Sequence, residues 1–219
     1  MQGFAIAQDE HHGCLALHLL DVVKILGVGL IRWNGALLLA PSRRPARGRD
    51  WRAWAELRER SRAFLAPWEP TWSVDALSRA AFRRRLRQTA LEWHEDGGYG
   101  FLIFRRDDNA LLGGVNLSNI RRGVAQSANL GYWIGEAHAR HGYMTEALQA
   151  LVLFVFDRLG LHRIEAACLP HNAASRGLLH KVGFREEGYA RQYLRINGSW
   201  QDHVLYALLR SDLRNGANG

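Results

Sequence analysis

The chain has 219 residues, 47 % hydrophobic and 23 % charged, a balance that excludes a disordered, collagenous or low-complexity protein. That length suits one substantial core and is short for two domains. Two cysteines far apart in sequence, Cys14 and Cys168, exclude a disulfide framework and a CxxC metal site and point to a reducing cytoplasm. The formal net charge is +8, and Lys24 and Lys181 are the only lysines among 29 basic residues. Such an arginine excess reflects either genomic base composition or attraction to polyanions: phosphates, an acidic protein face or RNA.

Residues 14–33 are rather apolar, but Asp21 and Lys24 interrupt them, so they are not read as a membrane span. Asp9 and Glu10 precede them, where a secretory signal would carry positive charge. Residues 1–34 are expected to form an N-terminal extension, with Leu19, Val22, Val23 and Leu26 on one side of a short helix.

A first strand is expected at Ala36–Ala40. Asp50 is positioned to cap a helix running to about Phe64. Pro67 and Pro70 end it and bracket a PWEP loop. Ser73 or Asp75 starts a second helix to about Glu95, with Leu77, Phe82, Leu86 and Leu91 near helical spacing. Its other side carries Arg83, Arg84, Arg85 and Arg87, read as a solvated face in preference to a nucleic-acid contact. Strands follow at Gly100–Phe104, Leu111–Leu117 and Ala128–Ile134, then a helix from Met144 to about Leu159 and a strand at Arg163–Leu169. A short helix over Asn172–Val182 precedes two last strands divided by Asn197-Gly198, a strong hairpin signal. This order predicts an α/β (α+β) fold, a mixed central β-sheet with helices on both faces.

The stretch from Gly131 to Leu148, GYWIGEAHARHGYMTEAL, carries the most chemistry. Gly131, Tyr132, Trp133 and Ile134 read as the end of a strand; Arg140, His141, Gly142 and Tyr143 form a turn into the helix that Met144 and Thr145 begin. The first amides of such a helix point outward unpaired, and with the helix dipole and a nearby arginine they suit a phosphate or pyrophosphate. No GxxxxGK[ST] or GxGxxG occurs, so the turn is neither a Walker loop nor a dinucleotide fingerprint.

The second cluster is LPHNAASRGLLHKVGF, Leu169 to Phe184. Asn172 stands at a helix start, where an N-cap is the simplest role, and Ser175 one turn later, where a solvated hydroxyl is. Their spacing of three places both on one helix face.

The turn resembles the acyl-coenzyme A pyrophosphate loop of the GNAT N-acetyltransferases, written [QR]xxGx[GA]. Gly142 takes the central glycine, whereas Ala139 stands at the Gln/Arg position and Met144 at the Gly/Ala position, and Arg140 can supply the side-chain donor one residue late. From about Gly35 to Leu209 the chain resembles this superfamily. Within it the chain is most similar to the ribosomal-protein-alanine N-acetyltransferases of the RimJ type, through FLAPWEP, GYWIG, GYMTEAL, LHRIEA, PHNAAS, GFREEGYAR and NGSWQDHVLYAL.

The resemblance implies a GNAT domain at residues 35–212 with a C-terminal tail at 213–219. Acetyl-CoA would be the acetyl-donor cosubstrate, bound between the fourth and fifth predicted strands, with no metal. Trp133, Ile134, Arg140, His141, Gly142, Tyr143, Met144, Thr145, Asn172 and Ser175 would bind it. Acetyl would pass directly to a primary amine, the N-terminal α-amine of a ribosomal protein being the preferred acceptor, in the cytoplasm.

Many members of the superfamily place a Tyr four residues after the Ser175 position; Leu179 stands there, which moves the thiolate-acid role to Ser175. Glu69, Glu136 and His203 are candidates for the base that takes the amine proton, and a water chain is the alternative to all three. His138 and His141 have i, i+3 spacing but no third ligand in view. Two rival readings are a GNAT enzyme for a small amine, amino acid or antibiotic, and a ribosome-assembly or RNA-contacting module that keeps the fold as a scaffold.

Overall fold

The structure, a computed structural model, describes residues 30–33, 36–39 and 48–215. Among these, eight strands form one sheet: β1 (Leu30–Trp33), β2 (Ala36–Leu39), β3 (Tyr99–Arg105), β4 (Leu111–Arg121), β5 (Ser127–Ile134), β6 (Arg163–Cys168), β7 (Arg185–Ile196) and β8 (Ser199–Leu209). Their spatial order is β1-β2-β3-β4-β5-β6-β8-β7. Every neighbouring pair is antiparallel except β5 and β6. The predicted mixed sheet is therefore present, with helices on both faces.

Strand alternation builds two cores. On β3, Tyr99, Phe101 and Ile103 face a large cluster that includes Leu148, Leu151 and Phe156; Leu102 and Phe104 face the opposite side. The large cluster is closed by α4 (Tyr143–Leu153) and α5 (Ala173–Val182). The smaller one joins Trp54 and Leu57 of α1 (Gly48–Arg60) to Phe82 of α3 (Arg79–His94) and to Leu111.

Several boundaries differ from the sequence reading. Strand β1 draws Leu30–Trp33 into the sheet, within the segment expected to be an extension, and β2 ends at Leu39. The helix expected around Leu19, Val22, Val23 and Leu26 lies outside the described residues. Helix α1 begins at Gly48, so Asp50 sits in its first turn, not at its cap. The run to Phe64 breaks at Ser61, before the short α2 (Arg62–Leu65): the buried Ser61 hydroxyl accepts the Glu136 N–H at 3.0 Å, tying this point to the end of β5.

Helix α3 starts later than Ser73 or Asp75. Those residues hold turns through Ala76 N–H to Ser73 O and Ser78 N–H to Asp75 O, and Ser78 caps the helix by accepting the Ala81 N–H at 3.0 Å. Helix α4 begins one residue before Met144 and passes at Phe154 into a π-helical turn ending at Arg158. A last helix, α6 (Arg210–Asn215), runs across the expected boundary at residue 212.

One feature of the sheet positions the site. The parallel pair β5 and β6 is in register only at Ser127↔Arg163, Ala128↔Ile164 and Asn129↔Glu165. Beyond these three rungs the strands separate, and the residues of β5 from Leu130 onward have no ladder partner on β6. The sheet thus opens as a V between Leu130–Ile134 and Ala166–Cys168.

Candidate active site

The turn before α4 stands at the open end of the V. Gly142 has φ +84° and ψ −15°, a left-handed conformation that favours glycine, and Arg140 also has positive φ, 64°. The first helical bond runs from the Glu146 N–H to the Gly142 carbonyl at 3.1 Å, so the amides of Tyr143, Met144 and Thr145 precede the intrahelical ladder. A Cβ added to Gly142 would meet nothing within 4 Å, so the space above these donors is open. Together they present outward-facing donors at the positive end of the helix dipole, a geometry that suits an anion.

The side chains around this turn have separate roles. Arg140 and His141 are exposed, and Met144 is buried in the large core, leaving only its backbone toward the turn. His141 donates from Nδ1 to the Ala139 carbonyl at 2.7 Å and stacks on Tyr143 with centroids 5.9 Å apart. Burial pushes the His138 pKa down, and the charges of Arg105 and His141 add to the effect, as a positive local potential requires. Of the two strand-end residues, Ile134 packs toward the large core and Trp133 toward the smaller one.

At the centre of the V three side chains converge. Asn172 fills its capping role, its Oδ1 accepting the Ser175 N–H at 3.0 Å. That leaves Ser175 Oγ to meet the Tyr132 hydroxyl at 2.6 Å. Burial pushes the Tyr132 phenol well above the usual tyrosine range, against the opposing pull of Ser175, so it stays protonated and able to donate at neutral pH. Cys168, buried where β6 ends, has its thiol pushed up by burial while Ser175 pulls it down. Leu179, at the position where many superfamily members carry a tyrosine, is fully buried.

The opposite face of the V is walled by the loop after α2. Glu69 is not an unattached carboxylate. Its Oε1 accepts from Arg58 at 3.3 Å, and its Oε2 accepts from Arg58 at 2.5 Å and from the Trp72 indole at 2.7 Å. Arg58 is 6 % exposed, and its guanidinium lies over Trp72 at 4.4 Å and Trp133 at 4.8 Å, joining the loop to β5. The Glu69 carbonyl accepts the Asn197 N–H at 2.9 Å, and Trp68 packs on His171 with centroids 5.4 Å apart. PWEP thus spans from β5 to the β6–α5 turn and the β7–β8 hairpin.

Glu136 is exposed; its backbone N–H donates to Ser61 and its carbonyl accepts the Ala139 N–H at 3.1 Å. His203 is 3 % exposed, and its Nδ1 donates to the Gln201 carbonyl at 3.0 Å. His138 and His141 find no third metal-ligating partner among the described residues.

Two participants escaped the sequence reading. Tyr132 lay inside GYWIG, treated only as strand; strict alternation turns it to the face opposite Trp133 and toward α5. Arg58 lay in a helix with several arginines, and its position four residues after Trp54 was its only mark.

The matching family model, described as an acetyltransferase (GNAT) domain, covers residues 43–185. The chain is 38 % identical to the [ribosomal protein uS5]-alanine N-acetyltransferase of Escherichia coli over 170 residues, 76 % of this chain and 87 % of that protein. It is 42 % identical to the probable N-acetyltransferase YjcK of Bacillus subtilis over 130 residues, 59 % of this chain and 72 % of that protein. Among solved structures, Mycobacterium smegmatis RimJ in complex with CoA-disulfide superposes with TM-score 0.75 at 32 % identity, covering 85 % of this chain and 88 % of that one. The V, the left-handed glycine and the free helix-start amides are what an acyl-coenzyme A requires, and this chain belongs to the GNAT family as an acetyl-CoA-dependent N-acetyltransferase.

Proposed function

We propose that this enzyme acetylates the N-terminal α-amine of a ribosomal protein, with Ala or Ser as its first residue, in the cytoplasm. The observation that carries the reading is the Tyr132–Ser175 hydrogen bond at 2.6 Å, set in the V with the PWEP loop as the opposite wall. Names of relatives support the acceptor: a uS5-alanine acetyltransferase at 38 % identity and a ribosomal-protein-serine acetyltransferase at 32 %.

Acetyl-CoA would lay its pyrophosphate on the amides of Gly142 to Thr145 beside Arg140 and His141. Its pantetheine arm would run along Trp133 and Ile134 toward Asn172 and Ser175. The amine attacks the thioester carbonyl directly, since no side chain is set up as an acyl nucleophile. Ser175, backed by the protonated Tyr132, delivers a proton to the departing thiolate. Glu69, held by Arg58 and Trp72, acts as an anchor of the wall and Glu136 as a charge at its rim. Near pH 7.5 an α-amine is roughly a quarter unprotonated while a lysine ammonium is almost wholly charged, which favours the α-amine.

Mass spectrometry of peptides and cell proteins incubated with labelled acetyl-CoA tests the reading. Label on Ala- or Ser-starting N-termini supports it. Label confined to lysine ε-amines, or to small amines alone, overturns the acceptor assignment and leaves the fold untouched.

A further inference from the structure

We propose that His203 is the general base that takes the acceptor's proton; this rests on the acetyltransferase reading with an α-amine acceptor. The residue sits beside the V on the acceptor face. In the β6–β8 ladder Cys168 faces Val204, and Val204, Tyr206 and Leu208 point into the α4/α5 core. Side chains alternate, so His203 points to the opposite face, level with Leu169 where β6 has ended, one strand spacing of about 5 Å away. Cys168 lies four residues past Ile164 and Tyr132 four past Ala128, and Ala128 and Ile164 are paired. His203 therefore stands just beyond the level of the Tyr132–Ser175 bond, on the face where Arg58, Glu69 and Trp133 wall the V.

The tautomer of its neutral ring is set by its partner. A carbonyl can only accept, so the bond to Gln201 makes Nδ1 the protonated nitrogen and leaves the lone pair on Nε2. No partner for Nε2 is recorded among the described residues. The two carboxylate candidates are worse placed: both Glu69 oxygens are taken, and Glu136 is exposed to solvent.

The groups around His203 are Tyr193, edge-on with centroids 5.7 Å apart, and Asp202 beside it on β8. The Asp202 carboxyl is held low by the Tyr189 hydroxyl and by the Gln192 N–H, with lesser pull from Arg191 and His203. Ala190 faces it on β7, and the adjacent β6 positions Ala167 and Leu169 are uncharged.

The step balances. The acceptor ammonium gives one proton to Nε2, directly or through one water. The amine lone pair forms the C–N bond, the C–S bond breaks, and a second amine proton reaches the coenzyme A sulfur by way of Ser175. The imidazolium then returns its proton to solvent.

The test compares wild type with His203→Gln and His203→Asn, using acetyl-CoA and an Ala-starting peptide between pH 6 and 9.5. Expected is a fall in kcat/KM at pH 7 of about 10²- to 10³-fold, from loss of general-base help. The defect should shrink as pH rises through the amine's own pKa, while the acetyl-CoA-induced rise in Tm is unchanged. A hydrazino-peptide acceptor, whose terminal nitrogen is largely neutral at pH 7, should show little defect. A defect constant across pH and equal for both acceptors, or rates within about twofold of wild type, overturns the assignment. If neither variant folds, the wild type decides: the acid limb of kcat/KM must flatten with the hydrazino acceptor, and a limb that does not move refutes the base. Wild type that ignores every α-amine peptide strikes the acceptor reading instead, and the same pair of measurements on the amine it does acetylate then judges His203.

Discussion

Tyr132 Oη and Ser175 Oγ lie 2.6 Å apart, one on β5 and one on α5, across the gap where the parallel strands have separated. Neither residue is near the other in sequence, and each alone has an ordinary structural role. Together they make a half-buried hydroxyl pair in which Tyr132 stays protonated near neutral pH. Ser175→Ala is expected to lower kcat by about 10²- to 10⁴-fold, the usual loss of general-acid help, with little change in acetyl-CoA binding. Tyr132→Phe should cost less, since Ser175 keeps its own proton. The double variant should be no slower than Ser175→Ala, because residues acting as one unit are not additive. Steady-state kinetics of the three proteins measure this, and independent, additive losses would break the pairing.

Gly142→Asp is expected to abolish the acetyl-CoA-induced rise in Tm. The left-handed backbone disfavours a side chain, and the new carboxylate would enter the space where anionic oxygens belong. Ligand that binds only the folded protein raises Tm by mass action, so thermal scans with and without acetyl-CoA read the loss directly. An undiminished shift in a folded variant would remove the pyrophosphate from this turn.

Glu69→Ala leaves the buried Arg58 guanidinium without its counter-charge. A destabilisation of about 2–4 kcal/mol is expected, read by urea unfolding. Glu69→Gln keeps an acceptor for Arg58 and should lose less than half of that, with kcat on an Ala-starting peptide within about threefold of wild type. A collapse of kcat in a stable Glu69→Gln protein would return the base role to this carboxylate.

Burial raises the Cys168 thiol above its ordinary range, so the neutral form is favoured in the folded state. The sign follows: this group contributes stability below the unfolded thiol pKa of about 8.5, and that contribution is lost as pH rises through the higher folded value. In a Cys14→Ser protein, where Cys168 is the only thiol, iodoacetamide should react slowly at pH 8 and faster at pH 10. Cys168→Ser should lessen the fall in stability above pH 9. Rapid alkylation at pH 7 would contradict the buried, protonated thiol.

The sequence disclosed those parts of the fold that rest on local rules. Asn197 and Gly198 both take positive φ, 45° and 84°, and turn β7 into β8 as their side chains dictate. Asn172 caps α5, and Gly142 adopts the left-handed turn, for equally local reasons. What stayed hidden depends on neighbours distant in the chain. The helix run breaks at Ser61, where the amide of Glu136, two residues past β5 and 75 residues away, donates to its hydroxyl. The Ser175 partner is 43 residues upstream, and Arg58 gains its meaning from three tryptophans that the fold gathers around it. The start of α3 is not legible locally because Ser73, Asp75 and Ser78 are all competent caps, and turn bonds among them decide which one serves.

Three rungs alone join the two halves of the sheet along β5 and β6. A chain-like ligand threaded between the separated strands takes the position of a missing strand and offers amide groups where ladder partners would be. Acetyl-CoA is then a splint as well as a reagent: each turnover would stiffen the molecule on loading and loosen it on release. Amide hydrogen exchange at residues 130–134 and 166–169 should slow when acetyl-CoA is added and recover once the coenzyme departs.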